Sequence, residues 1–156
     1  MLSKGSLAQI DREIAKYPPA HKQSALLAAL RIAQEQHGWL SEPMMDYVAR
    51  LLGLRPIQVY EVASFYSMYD LKPIGKHKIS VCTNISCMLC GSEQVVKHLE
   101  TKLGIRLGET TPDGRFTLKE AECLSACGGA PMFLIGKKYY ENLTPQRIDE
   151  ILGGLE

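Results

Sequence analysis

Five cysteines carry the reactive chemistry of this chain, and their spacing admits several uses. Cys82, Cys87 and Cys90 lie in "VCTNISCMLCGSEQVV" as C-x4-C-x2-C, and Cys123 and Cys127 lie in "CLSAC" as C-x3-C. The first three match the opening of a plant-type iron-sulfur pattern, which would recruit one distant cysteine. "CMLC" alone, Cys87 and Cys90 ahead of a helix, is the C-x-x-C of a thiol-disulfide oxidoreductase, where a helix N-terminus lowers a thiol pKa. Cys87, Cys90, Cys123 and Cys127 would serve structural zinc, whose sites favour closely spaced pairs. Two separated pairs, Cys82 with Cys87 and Cys123 with Cys127, suit a 2Fe-2S cluster with each pair clamping one iron. Five buried thiols acting as small apolar side chains would be the bland alternative.

The residues around the pairs bear on the choice. Four thiolates about an oxidised two-iron, two-sulfide core leave a net charge of about −2, which hydrogen bonds to sulfur must offset. Backbone N–H groups approach sulfur best where side chains are small. Ser125, Ala126, Gly128 and Gly129 surround one pair, and Thr83, Asn84 and Ser86 surround the other. The plant-type reading leaves one of Cys123 and Cys127 idle and needs a loop at Cys90, where an amphipathic helix begins. The dithiol reading makes three further cysteines coincidental, and the zinc reading leaves Cys82 unused.

The elements that must position these thiols change character along the chain. Residues 1 to 75 read as a helical bundle. Leu7, Ile10, Ile14 and Tyr17 recur at helical spacing before "YPPAH" interrupts, and Leu26, Leu27, Leu30 and Ala33 form a second stripe ending at His37 and Gly38. Ser41 is a candidate N-cap for a helix through Met44, Val48, Leu51 and Leu52 that stops at Gly53. Pro56 suits the first position of a fourth, carrying Val59, Val62, Ala63 and Tyr66.

Residues 76 to 156 read as an α/β layer. "HKISVCT" is a strand ending in a cysteine, and "SEQVVKHLETKLG" is a helix with Val95, Val96, Leu99 and Leu103 on one face. "TPDGRFTLKEAEC" is a turn and a strand leading to another cysteine; "PMFLIG" and "KKYYEN" form a hairpin, and "TPQRIDEILGGL" closes the chain as a helix. That order predicts a small mixed sheet flanked by helices, as in thioredoxin. Loops leaving parallel strands gather at one edge of a sheet, so the two cysteine pairs are expected to face each other there.

"IQVYEVASFYSMYDLKPIGKHKI", "VCTNISCMLCGSEQV" and "TTPDGRFTLKEAECLSACGGAP", in that order, resemble the small peripheral 2Fe-2S subunit of NADH:quinone oxidoreductase (respiratory complex I), of the thioredoxin-like 2Fe-2S ferredoxin family. C-x4-C followed at long range by C-x3-C is the strongest element of the likeness, which covers nearly the whole chain. It implies a helical docking region, 1–75, joined to a thioredoxin-like ferredoxin domain, 76–156, with Cys82, Cys87, Cys123 and Cys127 as cluster ligands. Cys90 matches no family ligand. The resemblance further implies an electron-transfer subunit that exchanges electrons with FMN on an adjacent NADH-binding subunit. Other peripheral-arm iron-sulfur subunits are implied as neighbours, at the inner face of the bacterial plasma membrane. Related subunits in soluble NAD-linked hydrogenases and formate dehydrogenases are the alternative parent machines.

No Gly-rich phosphate loop joins a strand to a helix and no Ser/His/Asp set stands out, so no catalytic residue is assigned, and NADH and flavin are expected on a partner. The formal net charge of +1 with no basic stripe argues against nucleic acid. "ALLAAL", the longest apolar run, is far below the roughly 18 residues that span a bilayer, and the opening residues have no signal-peptide pattern. A cytoplasmic protein with reduced cysteines is expected. His37 and His98 read as solvated or capping side chains, "FYSMY" as core or a partner-facing patch, and Trp39 as a corner plug. Lys137 and Lys138 read as a solvated hairpin tip. Pro131 sits where thioredoxin folds place a cis-proline, with the trans form expected by base rate.

Overall fold

The computed structural model describes residues 1–155. Contacts divide the chain into a first unit, Met1–Pro73, and a second beginning at Ile74.

The first unit is helical. Its helices are α1 (Lys4–Ile14), α2 (Leu26–His37), α3 (Glu42–Leu52) and α4 (Pro56–Phe65), with a 3-10 turn, Pro19–Ala25, after α1. Ser3 caps α1 by accepting the Ser6 backbone N–H at 3.1 Å, and Gly53 ends α3 in a left-handed conformation. Their apolar stripes converge on one core that contains Ile10, Leu30, Ala33, Leu40, Val48, Val59 and Ala63. Tyr17 and Leu27, members of the sequence stripes, are 39% exposed, because α1 stops before Tyr17 and Leu27 turns outward. Tyr66 likewise lies beyond α4 as its C-cap and is exposed.

The second unit runs β1 (His77–Cys82), α5 (Ile85–Leu89), α6 (Ser92–Leu103), β2 (Phe116–Ala121), β3 (Phe133–Ile135), β4 (Lys138–Tyr140) and α7 (Pro145–Gly153). The four strands form one mixed sheet in the order β2-β1-β3-β4, with β1 parallel to β2 and antiparallel to β3. Ile79, Val81, Leu118 and Phe133 from the sheet pack with Val95 and Leu99 of α6 and Ile148 and Leu152 of α7. Apolar residues at helical spacing on α6 meet alternate residues of β1, which is why this order of elements closes on a single core. The fold is the mixed α/β one expected.

Three details differ from expectation. A five-residue helix, α5, precedes α6; it is too short for apolar periodicity to reveal. The Ala130–Pro131 peptide bond is cis. His98, expected to be solvated or capping, instead places its Nε2 2.9 Å from Asp149 Oδ1, and Lys102 Nζ lies 3.3 Å from the same oxygen, which ties α6 to α7. No helix among the described residues is long and apolar enough to cross a membrane.

Candidate metal centre

The parallel pairing of β1 and β2 brings the two cysteine loops together. Cys82, the last residue of β1, stands opposite Ala121, the last of β2, and the Thr83 N–H extends the ladder by donating to Ala121 O at 3.1 Å. Beyond that point both chains leave the sheet at the same edge. Thr83 Oγ1 donates to Glu120 Oε1 at 2.7 Å and links them again.

On the first loop, Asn84 caps α5, its Oδ1 accepting the Ile85 N–H at 2.9 Å. One turn of helix then carries Cys87 inward. Cys82 and Cys87 are 3% and 1% exposed and pack with Met132, which is fully buried. The Cys82 N–H donates to Met132 O at 3.2 Å, so the end of the second loop, just before β3, lies against the same pair of cysteines. On the second loop, Cys123 and Cys127 are exposed. Ser125 between them takes a positive φ of 57°, and its N–H points back to Cys123 Sγ at 3.4 Å. Cys127 opens a 3-10 turn, Cys127–Gly129.

The sulfurs influence one another across the loops. Burial by itself raises the Cys82 pKa, but backbone N–H groups of Asn84 and Leu124 and the thiols of Cys87 and Cys123 donate toward its sulfur, and the net shift is downward. Cys87 is pushed up to about 11, first by burial, then by its thiol hydrogen bond to Cys82 and the charge on that sulfur; the Met132 N–H opposes this, and Cys127 adds to it. Cys82, Cys87, Cys123 and Cys127 thus form one interacting set. The downward shift at Cys82 favours its thiolate, the form that binds metal.

Cys90 stands apart. It is the exposed C-cap of α5, two residues ahead of α6, rather than the start of a long helix as the sequence suggested. Helix α5 turns Cys87 inward and leaves Cys90 in solvent. The plant-type and zinc alternatives also need Cys90, which is not among the principal groups acting on the Cys82 and Cys87 thiols.

The donor set fits a two-iron cluster. Two thiols from each loop match the demand of a pair of irons for two protein thiolates apiece. N–H groups aimed at Cys82, Cys87 and Cys123 offer the compensation a buried anionic group requires. Two of those donors, Asn84 and Ser125, come from the small residues singled out in the sequence. Leu124 and Met132 do not, because a backbone N–H needs only the right direction, and side-chain size gave no signal for them.

Known proteins resemble this chain along most of its length. The family model for the thioredoxin-like [2Fe-2S] ferredoxin matches residues 10–156. An NADH-quinone oxidoreductase subunit of Rhizobium meliloti is 49% identical over 144 residues, covering 92% of this chain and 84% of the relative. Its counterpart in Rickettsia conorii, also an NADH-quinone oxidoreductase subunit, is 47% identical over 154 residues, covering 98% of this chain and 92% of the relative. Among solved structures, an NAD+-reducing [NiFe]-hydrogenase in the air-oxidised state shares the fold with a TM-score of 0.71 at 21% identity; the match covers 81% of this chain and 22% of that one.

Proposed function

This chain belongs to the thioredoxin-like [2Fe-2S] ferredoxin family, and from that premise we propose that Cys82, Cys87, Cys123 and Cys127 hold its 2Fe-2S cluster. The observation that carries the assignment is the Cys82 sulfur, which interacts with Cys87 on its own loop and with Cys123 and the Leu124 N–H on the other. When bound, such a cluster takes up and releases one electron at a time. The chain's own residues ligate, shield and orient. Met132 excludes water from the Cys82 and Cys87 side, and the backbone N–H groups of Asn84, Leu124, Ser125 and Met132 stabilise negative charge on sulfur.

The chain is an oxidoreductase subunit of the NADH dehydrogenase kind. Its partner in our reading is a flavin-bearing, NADH-binding subunit of NADH:quinone oxidoreductase, with other iron-sulfur subunits of the peripheral arm nearby. It would sit on the cytoplasmic face of the bacterial membrane through that complex. Residues 1–75 serve as the docking bundle and 76–156 as the ferredoxin domain. Support comes from the two NADH-quinone oxidoreductase relatives at 49% and 47% identity. The equivalent place in a soluble NAD-linked hydrogenase is the second reading, and the hydrogenase likeness, at 21% identity, speaks for fold alone.

The test is metal analysis of the purified full chain, followed by gentle isolation from the native cell. About two irons and two acid-labile sulfides per chain, with a reduced-state EPR signal, are expected. A colourless protein with one zinc would sink the cluster reading. Co-isolation with a flavin-bearing subunit that oxidises NADH and reduces quinone supports the complex I placement, and co-isolation with hydrogenase activity moves it to the second reading.

A further inference from the structure

Glu141 lies flat on the loop that carries Cys127. An atom at the Cβ position of Gly129 would stand 2.5 Å from the Glu141 carboxyl carbon and 2.6 Å from its Cβ and Cγ, so any larger residue at 129 would collide with the whole side chain. Gly129 is buried as a result, although Cys127 and Gly128 beside it are exposed.

Backbone bonds on either side hold this contact. The Asn142 N–H donates to Gly129 O at 2.7 Å, and the Leu143 N–H donates to Pro131 O at 3.0 Å. The segment leaving β4 is therefore strapped along the cysteine loop, with Asn142 at a positive φ of 51° making the bend. Gly129 in turn belongs to the 3-10 turn that starts at Cys127, with the Ala130 N–H donating to Cys127 O at 3.3 Å.

An apolar side chain would cover this turn equally well. A carboxylate also sets a negative charge against the turn that begins at a ligand cysteine, where an incoming electron feels it. We propose that Glu141 is a positioning and tuning residue for the cluster: its carbons shield the Cys127–Gly129 turn, and its charge holds the reduction potential down. The proposal rests on the four-cysteine reading above. Lys138, Arg147 and Glu150 share the surface groove with Glu141 and are the same in every variant, so Glu141→Gln removes one negative charge and Glu141→Lys reverses it.

The experiment is an EPR-monitored redox titration of the cluster-loaded full chain with Glu141 intact, with Glu141→Gln and with Glu141→Lys. The expected result is equal iron and sulfide content and a midpoint potential that rises from wild type to the glutamine to the lysine variant. The spread should narrow as salt is raised, because an exposed charge is screened while a packing change is not. Fully loaded variants with the wild-type midpoint, or with shifts indifferent to salt, overturn this proposal alone. A wild-type chain that takes up no iron or sulfide overturns the four-cysteine reading, and this one with it.

Discussion

The backbone N–H of Leu124 is directed to the Cys82 thiol and helps lower its pKa. Cys82 ends strand β1 and Leu124 follows Cys123 in the loop after β2, so this one contact joins the two cysteine loops at the edge of the sheet. Its geometry depends on the parallel register that sets Cys82 opposite Ala121.

Cysteine replacements should divide sharply. Alanine at Cys82, Cys87, Cys123 or Cys127 is expected to remove stable iron and sulfide, because one iron would be left with a single protein thiolate. Cys90→Ala is expected to keep both at the wild-type level, since Cys90 is an exposed helix cap. Iron and sulfide assays with a circular dichroism check of folding decide it. Loss of the cluster on changing Cys90 would refute the assignment.

Gly75 permits a close backbone crossing. A Cβ there would stand 2.9 Å from the Phe116 backbone N and C, and 3.0 Å from Arg115 C, none of which belongs to a movable side chain. The Gly75 N–H also donates to the buried Thr117 Oγ1 at 2.6 Å. Gly75→Ala should cost about 1–3 kcal/mol by overpacking. Gly153→Ala, at the end of α7 with open space around it, should be neutral or slightly stabilising. Urea midpoints of the two variants give the comparison, and equal stability would show that the crossing relaxes freely.

Tyr69 makes stability depend on alkaline pH. Its hydroxyl donates to Leu27 O at 2.8 Å, and burial pushes its pKa from 10.0 to about 12, with Arg31 opposing and Tyr66 adding. A raised value favours the protonated form in the folded state. Its contribution is therefore complete below pH 10.0 and disappears as pH climbs toward about 12. The loss is on the order of 2–3 kcal/mol. Chemical denaturation across that window should show a steeper fall for wild type than for Tyr69→Phe, with the other titrating groups common to both curves. Parallel curves would remove Tyr69 as the cause.

Asp149 acts at the other end of the scale. Its hydrogen bond from His98, and then Lys102, hold its carboxyl below the ordinary 3.8. A depressed value means stability that is present above pH 3.8 and lost as pH falls below it. Asp149→Asn should melt below wild type at pH 6, and the gap should close in acid and shrink with salt. Thermal melts in steps from pH 6 down through the acid range read this directly, and a gap that does not narrow as pH falls below 3.8 would mean the pair contributes by packing.

Most of this architecture is legible along the chain because its signals are local. Gly53 and Pro56 mark helix boundaries, Val95 and Leu99 repeat at helical spacing, and "HKISVC" is dense in strand formers. Helix α5 escaped because five residues hold little more than one turn, too little for a period. The role of His98 escaped because its partner Asp149 belongs to another helix. Of the proposed cluster site, the types of the cysteines and their spacing as two pairs, Cys82 with Cys87 and Cys123 with Cys127, could be read from the chain alone.

Residue type and period act over a few positions at a time, and they were enough to establish which thiols were available and which elements would carry them. Whatever required distance in space was left to the packed fold. Strand register set the two pairs at one edge, a single helical turn sent Cys87 inward and Cys90 to solvent, and N–H groups of Leu124 and Met132 came to aim at sulfur. The laying of Glu141 across Gly129 belongs to the same class. Such contacts join residues from separate elements, and only the packed core, by fixing where each strand ends, determines that they meet.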